Sequence, residues 1–166
     1  FTLIELLATT LILAIIMIVA VPNVMSTIDK NKQNTYVEDA KRMITLAEYK
    51  VRSDTNIPLP TTNGSCIVVL MSALDLSEFS DPPEGGNYNL DNSYVVIART
   101  GSTYTYLASL EEDFDGSKRG IKLATRDELN KENARKLVVK DADLNLSKPT
   151  VGSQIATYNV INVIDS

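Results

Sequence analysis

Few side chains in this chain could do chemistry. There is one thiol, Cys66, and no imidazole; the carboxylates fall into scattered surface acids, one dense cluster, Glu111-Glu112-Asp113-Phe114-Asp115-Gly116, and a single acid, Glu5, set in an apolar run. Without His, neither a Ser-His-Asp triad nor a Cys-His pair can be built, and one Cys cannot make a structural zinc site. Cys66 therefore reads as a buried small apolar residue, because nothing nearby in sequence would lower its pKa or take its proton. The acidic cluster offers Asp113 and Asp115 as weak calcium ligands, but the spacing of an EF-hand loop is missing, and a solvated acidic turn is the plainer reading. No cofactor is expected, and no catalytic residue.

Glu5 carries more information. From Phe1 to Ile28 it is the only charged side chain. About 20 apolar residues suffice to cross a bilayer as a helix. An acid in hydrocarbon costs about 2.5–3.5 kcal/mol even on lenient insertion scales, so an intramembrane Glu is a functional residue in search of a partner. The nearest cation is the amine of Phe1. A chain that opens at Phe reads as the product of a cut before Phe1, yet the apolar segment has stayed on it, unlike a secretory signal.

Phe1-Thr2-Leu3-Ile4-Glu5-Leu6, followed by an apolar run and Pro22, resembles the mature N-terminus of type IV pilins and pseudopilins. The resemblance is close over residues 1–28, looser to 53 and only architectural beyond. It implies cleavage by a prepilin peptidase, methylation of the Phe1 amine, and a filament in which Glu5 of one subunit meets Phe1 of the next. It also implies a single-pass subunit of the cytoplasmic membrane before assembly and, afterwards, a homopolymer on the bacterial surface serving adhesion, twitching motility or related functions. Many Gram-negative pilins staple their C-terminal region with a disulfide. A lone Cys66 cannot, which points to a Gram-positive pilin or a pseudopilin.

The elements that must position these residues follow from patterning. Residues 1–28 form the apolar half of a long first helix and 29–53 an amphipathic half, in which Val37, Ala40, Ile44, Ala47 and Val51 recur at helical spacing and need a sheet to lie on. Helical throughout, residues 1–53 would span about 80 Å. Pro22 removes a donor and crowds the Ile18 carbonyl, predicting a kink or local unwinding. Asp54, Asn56, Pro58 and Pro60 end the helix. Residues 54–92 form a connecting region whose Pro- and Gly-rich stretch 80–87 reads as an exposed loop.

Residues 93–166 read as a head of about four antiparallel strands: 93–98 and 103–107 joined by a tight turn, then 120–124 and 155–164. Residues 66–70 are either a fifth strand or the lead-in to a short helix over 72–76. Thr125-Arg126-Asp127-Glu128 fits a capping box and predicts a helix to about Leu137. The expected fold class is α+β, a helical spine packed on an antiparallel sheet.

Net charge is −5, unevenly spread: residues 55–117 hold nine acids and one base, whereas 118–166 hold nine bases and six acids. Such segregation permits contacts between identical subunits, or two solvated surfaces. An acidic chain without an interleaved aromatic and basic stripe is a poor nucleic-acid binder. Two function classes remain: a polymerising filament subunit working with the pilus assembly machinery that the resemblance implies, either a pilin or a pseudopilin or minor pilin of a type II secretion or competence system, or a membrane-tethered ligand-binding module. An acid in hydrocarbon favours the first.

Overall fold

The computed structural model describes residues 1–166, which divide into two compact units, 1–32 and 33–166. Helix α1 runs from Leu3 to Ser53 without a break, Pro22 included. Local unwinding is thus not seen. Proline costs a single backbone bond, and α1 carries 51 residues of otherwise intact ladder.

In the first unit every residue is exposed or half-buried, and none is buried. In the second, burial on α1 begins at Tyr36 and recurs at Val37, Asp39, Ala40, Met43, Ile44, Ala47 and Val51, one stripe at three- and four-residue spacing. This face packs on Ile67, Val69, Val95, Ile97, Ala108, Leu110 and Ile121 of the sheet.

The sheet holds eight strands, twice the number expected: β1 (Ser65–Leu70), β2 (Asn87–Tyr88), β3 (Tyr94–Thr100), β4 (Thr103–Phe114), β5 (Ser117–Thr125), β6 (Val138–Lys140), β7 (Gln154–Ile155) and β8 (Tyr158–Ile164). Their order is β6-β5-β4-β3-β1-β8-β7, and β2 pairs with the far end of β4. Residues 66–70 are a strand, central and buried on both faces, which is why they show no alternation. The sheet is not wholly antiparallel, because β1 and β8 pair parallel. Such a pair needs a long return, which the entire chain between them supplies.

β4 runs through the acidic cluster and turns at Asp115-Gly116, both at positive φ (47° and 79°), into β5. An Asp-Gly pair closing a two-residue hairpin suits the twist of the flanking strands. Glu111 and Glu112 are consequently buried strand residues, not parts of a solvated turn; Asp113 and Asp115 stay exposed.

The capping box at Thr125 forms, with the Thr125 amide donating to Glu128 Oε1 at 3.1 Å and the Glu128 amide to Thr125 Oγ1 at 3.3 Å. It caps only a turn. The next helix, α2, is Ala134–Leu137. Asn130 and Asn133 compete locally for backbone groups here, the Asn133 amide donating to Asn130 Oδ1 and its side chain to the Glu128 carbonyl. The expected strand 155–164 is broken at Ala156 (φ 53°) into the hairpin of β7 and β8.

After β6 the chain crosses from one end of the sheet to the other, through a 3₁₀ turn at Asp141–Leu144 and residues 145–153, before forming β7. This strap and the β7–β8 hairpin accompany a second buried cluster of Cys66, Val68, Leu70, Tyr94, Val96, Ala98, Leu107 and Val160. Strand alternation puts that cluster on the opposite sheet face from α1.

Candidate functional site

The first turn of α1 is a reciprocal capping box built from Thr2-Leu3-Ile4-Glu5. The Thr2 amide donates to Glu5 Oε2 at 3.1 Å, and the Glu5 amide donates to Thr2 Oγ1 at 3.2 Å. Two of the four orphan amides of a helix N-terminus are thereby satisfied, with a negative charge at the positive end of the macrodipole. The T-x-x-E spacing that signals such a box lay open in the sequence. Glu5 therefore has a partner within its own subunit for one carboxylate oxygen, while no cation of its own chain pairs with it.

Beyond the cap the helix surface is nearly all apolar, with Leu3, Ile4, Leu6, Leu7, Leu11 and Ile12 heading the exposed side chains, and it is long and apolar enough to cross a membrane. Four of its polar side chains bond back to the helix. Thr9 and Thr10 donate to the carbonyls of Glu5 and Leu6 at 2.8 Å each, Asn23 to Val19 at 3.2 Å and Thr27 to Asn23 at 2.9 Å. Such back-bonding hides hydroxyls and amides from an apolar surrounding. Pro22 lies more than four turns from Glu5, so the expected assembly residues Phe1, Glu5 and Pro22 share one helix but not one local site.

The weak calcium pair is not assembled. Asp113 Oδ2 accepts from Asn89 Nδ2 at 3.1 Å, Asp115 sits in the hairpin turn, and no three acid, thiol or imidazole side chains converge. Glu111, by contrast, is fully buried, with Lys118 Nζ 3.4 Å from Oε1 and no partner for Oε2. Burial raises its pKa, the Lys118 ammonium opposes that shift, and the nearby Asp113 carboxylate adds to it. Cys66 is fully buried and its thiol is pushed up to about 11 by burial, so it stays protonated and unreactive at neutral pH.

A buried polar clasp between α1 and residues 80–88 has no counterpart among the sequence expectations. Asp39, wholly buried, accepts from Ser80 Oγ at 2.8 Å, the Ser80 amide at 3.3 Å and Tyr88 Oη at 2.5 Å. Glu112 accepts from Tyr36 Oη at 2.8 Å, the Glu84 amide at 3.1 Å and the Gly86 amide at 2.8 Å. Burial and the adjoining carboxylates push both tyrosines far above the usual phenol range. The stretch 80–87, expected as an exposed loop, is thus half-buried over Pro82–Glu84 and at Gly86 and tied down through its backbone. The available signal was Asp39 at i+3 from Tyr36 and i−4 from Met43, inside the apolar stripe. Part of the charge segregation also closes within the subunit, since Lys118 pairs with Glu111 and Arg119 with Glu84.

No family model matches this chain, and neither a curated protein nor a solved structure matches it.

Proposed function

We propose that the chain is the subunit of a type IV pilin-like filament that polymerises through residues 1–28, after being held in the cytoplasmic membrane by the same surface. What supports this reading is that residues 1–28 are all exposed and are apolar apart from one carboxylate and a few polar side chains, four of them bonded back to the helix. One segment can serve both states because lipid and packed apolar helices are equivalent surroundings for it. In the filament, Glu5 neutralises the Phe1 amine of a neighbouring copy, since leaving one member of a buried ion pair alone costs about 3–5 kcal/mol. The head, residues 33–166, is then the outward-facing part. Motility, adhesion and secretion are alternative uses of the same polymer.

The capping box favours a second reading strongly enough to be tested beside the first. A helix that merely anchors a binding module would also keep Glu5, to satisfy the Thr2 amide. Two substitutions separate these roles. Gln can close a capping box but carries no charge, whereas Ala does neither. If Glu5 acts by charge pairing, Glu5→Gln and Glu5→Ala both abolish filaments while leaving the subunit in the membrane. If Glu5 is only a cap, Glu5→Gln changes nothing: it assembles as the parent does, or, where the helix is merely an anchor, parent and Glu5→Gln alike stay in the membrane and form no filaments.

A further inference from the structure

Beneath the strap that carries the chain from β6 to β7 lies a cleft of about 410 Å³, bounded by Tyr94 of β3, Lys122 and Leu123 of β5, and residues 145–150 and 153–156. That volume falls within the range of small-ligand pockets. Its lining contains two lysines, Lys122 and Lys148, and no acid, although the chain as a whole has 21 acids to 16 bases. Neither ammonium has an ion-pair or hydrogen-bond partner in the chain, and the side chains of Asn145, Ser147 and Gln154 are equally uncommitted.

The backbone contributes to this arrangement. From Ala108 to Leu110 β4 advances two residues while β5, from Ala124 to Ile121, advances three. The extra residue is a bulge, a device that re-aims side chains. Regular alternation would send Lys122 and Leu123 to opposite faces; here both line the cleft. A cation and an apolar side chain are thereby presented side by side, with Tyr94, Leu146 and Ile155 adding apolar surface.

We propose that this cleft binds a phosphorylated sugar. Lys122 and Lys148 would take the phosphate as two point charges, the uncommitted amides and Ser147 hydroxyl would read sugar hydroxyls, and the apolar side chains would cover the less polar ring face. The proposal does not rest on the filament reading, because every lining residue belongs to the 33–166 unit.

The test is a titration of the full chain in detergent micelles, monitored by backbone NMR, with glucose 6-phosphate, glucose and inorganic phosphate as probes. Glucose 6-phosphate should give saturable shifts confined to residues around Tyr94, 122–123 and 145–156, with a Kd of about 0.1–1 mM for a ligand of this size. Inorganic phosphate and glucose should each bind at least about tenfold more weakly, since each meets only part of the lining. The Lys122→Gln/Lys148→Gln double variant, altered at two exposed positions and verified as folded by its unshifted core resonances, should lose at least about tenfold in affinity for glucose 6-phosphate. Absence of saturable shifts, unchanged affinity in the double variant, or equal binding of glucose or inorganic phosphate would each overturn the assignment.

Discussion

Removing the Asp39 carboxylate should be the most damaging single polar deletion in the head. Asp39 is wholly buried and accepts three hydrogen bonds, from the Ser80 amide and hydroxyl and from Tyr88 Oη, with Arg42 Nη1 at 3.6 Å. Hydrogen bonds to a charged group are each worth about 1.5–3 kcal/mol net, and donors left buried without an acceptor add their own desolvation cost. The three are not additive, so Asp39→Ala is expected to cost about 3–5 kcal/mol, in line with breaking a buried charged constellation by removing one partner. Tyr88→Phe deletes one donor and leaves two bonds on the carboxylate; it should cost about 1.5–3 kcal/mol. The double variant should lose less than the sum, because the Tyr88 bond is counted in both singles. Equilibrium urea unfolding of residues 29–166, monitored by near-UV circular dichroism, reads these differences, with exposed Glu132→Ala as a control expected within about 0.5 kcal/mol of the parent. Hydrogen exchange should show the same loss as opening of residues 80–88. If Asp39→Ala cost no more than the control, or the costs of Asp39→Ala and Tyr88→Phe simply added, the clasp would not be holding the loop to α1.

Residues 29–166 expressed alone should be monomeric and melt cooperatively, because the buried stripe from Tyr36 to Val51 finds its partners in the sheet; an unfolded fragment by NMR would refute the division of labour along α1. Glu111 should make stability fall with rising pH: its folded pKa is raised by burial, so between the ordinary carboxylate value and the folded one the native state holds the extra proton, and that stabilisation is present below the window and lost above it. Glu111→Gln should flatten this contribution and raise neutral-pH stability relative to the parent, measured as the difference between their melting curves across pH; a steeper parent rise with pH than the variant's would contradict it. Gly120→Ala should destabilise by about 3 kcal/mol or more, beyond ordinary overpacking, because its Cβ would lie 1.9 Å from the Leu110 carbonyl oxygen of the paired strand; a urea midpoint unchanged from the parent would show that the strands can part.

The long helix, its apolar and amphipathic halves, the β3–β4 hairpin and the burial of Cys66 were legible because each rests on local pattern. Periodicity over many residues and turn composition need no knowledge of distant partners. Strand count was not legible, for a physical reason: β1 and much of β4 are buried on both faces, and such runs do not alternate. The parallel pairing of β8 with β1 depends on a strap that contributes few apolar side chains of its own, so its register has no local signature. Acids misled most. Glu111, Glu112 and Asp39 look like surface residues until strand and loop donors converge on them, and convergence is a tertiary property. The capping boxes show the opposite limit: at Thr2–Glu5 and at Thr125–Glu128 the same spacing makes the same bonds, yet only the first opens a long helix. Local chemistry fixes a cap, and the residues C-terminal to the cap decide whether a helix forms behind it.

Within the proposed function, the central claim is that Glu5 is an intersubunit charge partner as well as a cap. Electron microscopy of surface-sheared material from cells carrying this chain as sole subunit, with its identity and N-terminal residue established by mass, measures this directly when the parent, Glu5→Gln and Glu5→Ala are compared. The expected result is long filaments from the parent, beginning at Phe1, and none from either variant, with both variant subunits still in the membrane fraction. Filaments of normal length and number from Glu5→Gln, or no filaments from the parent, would contradict it.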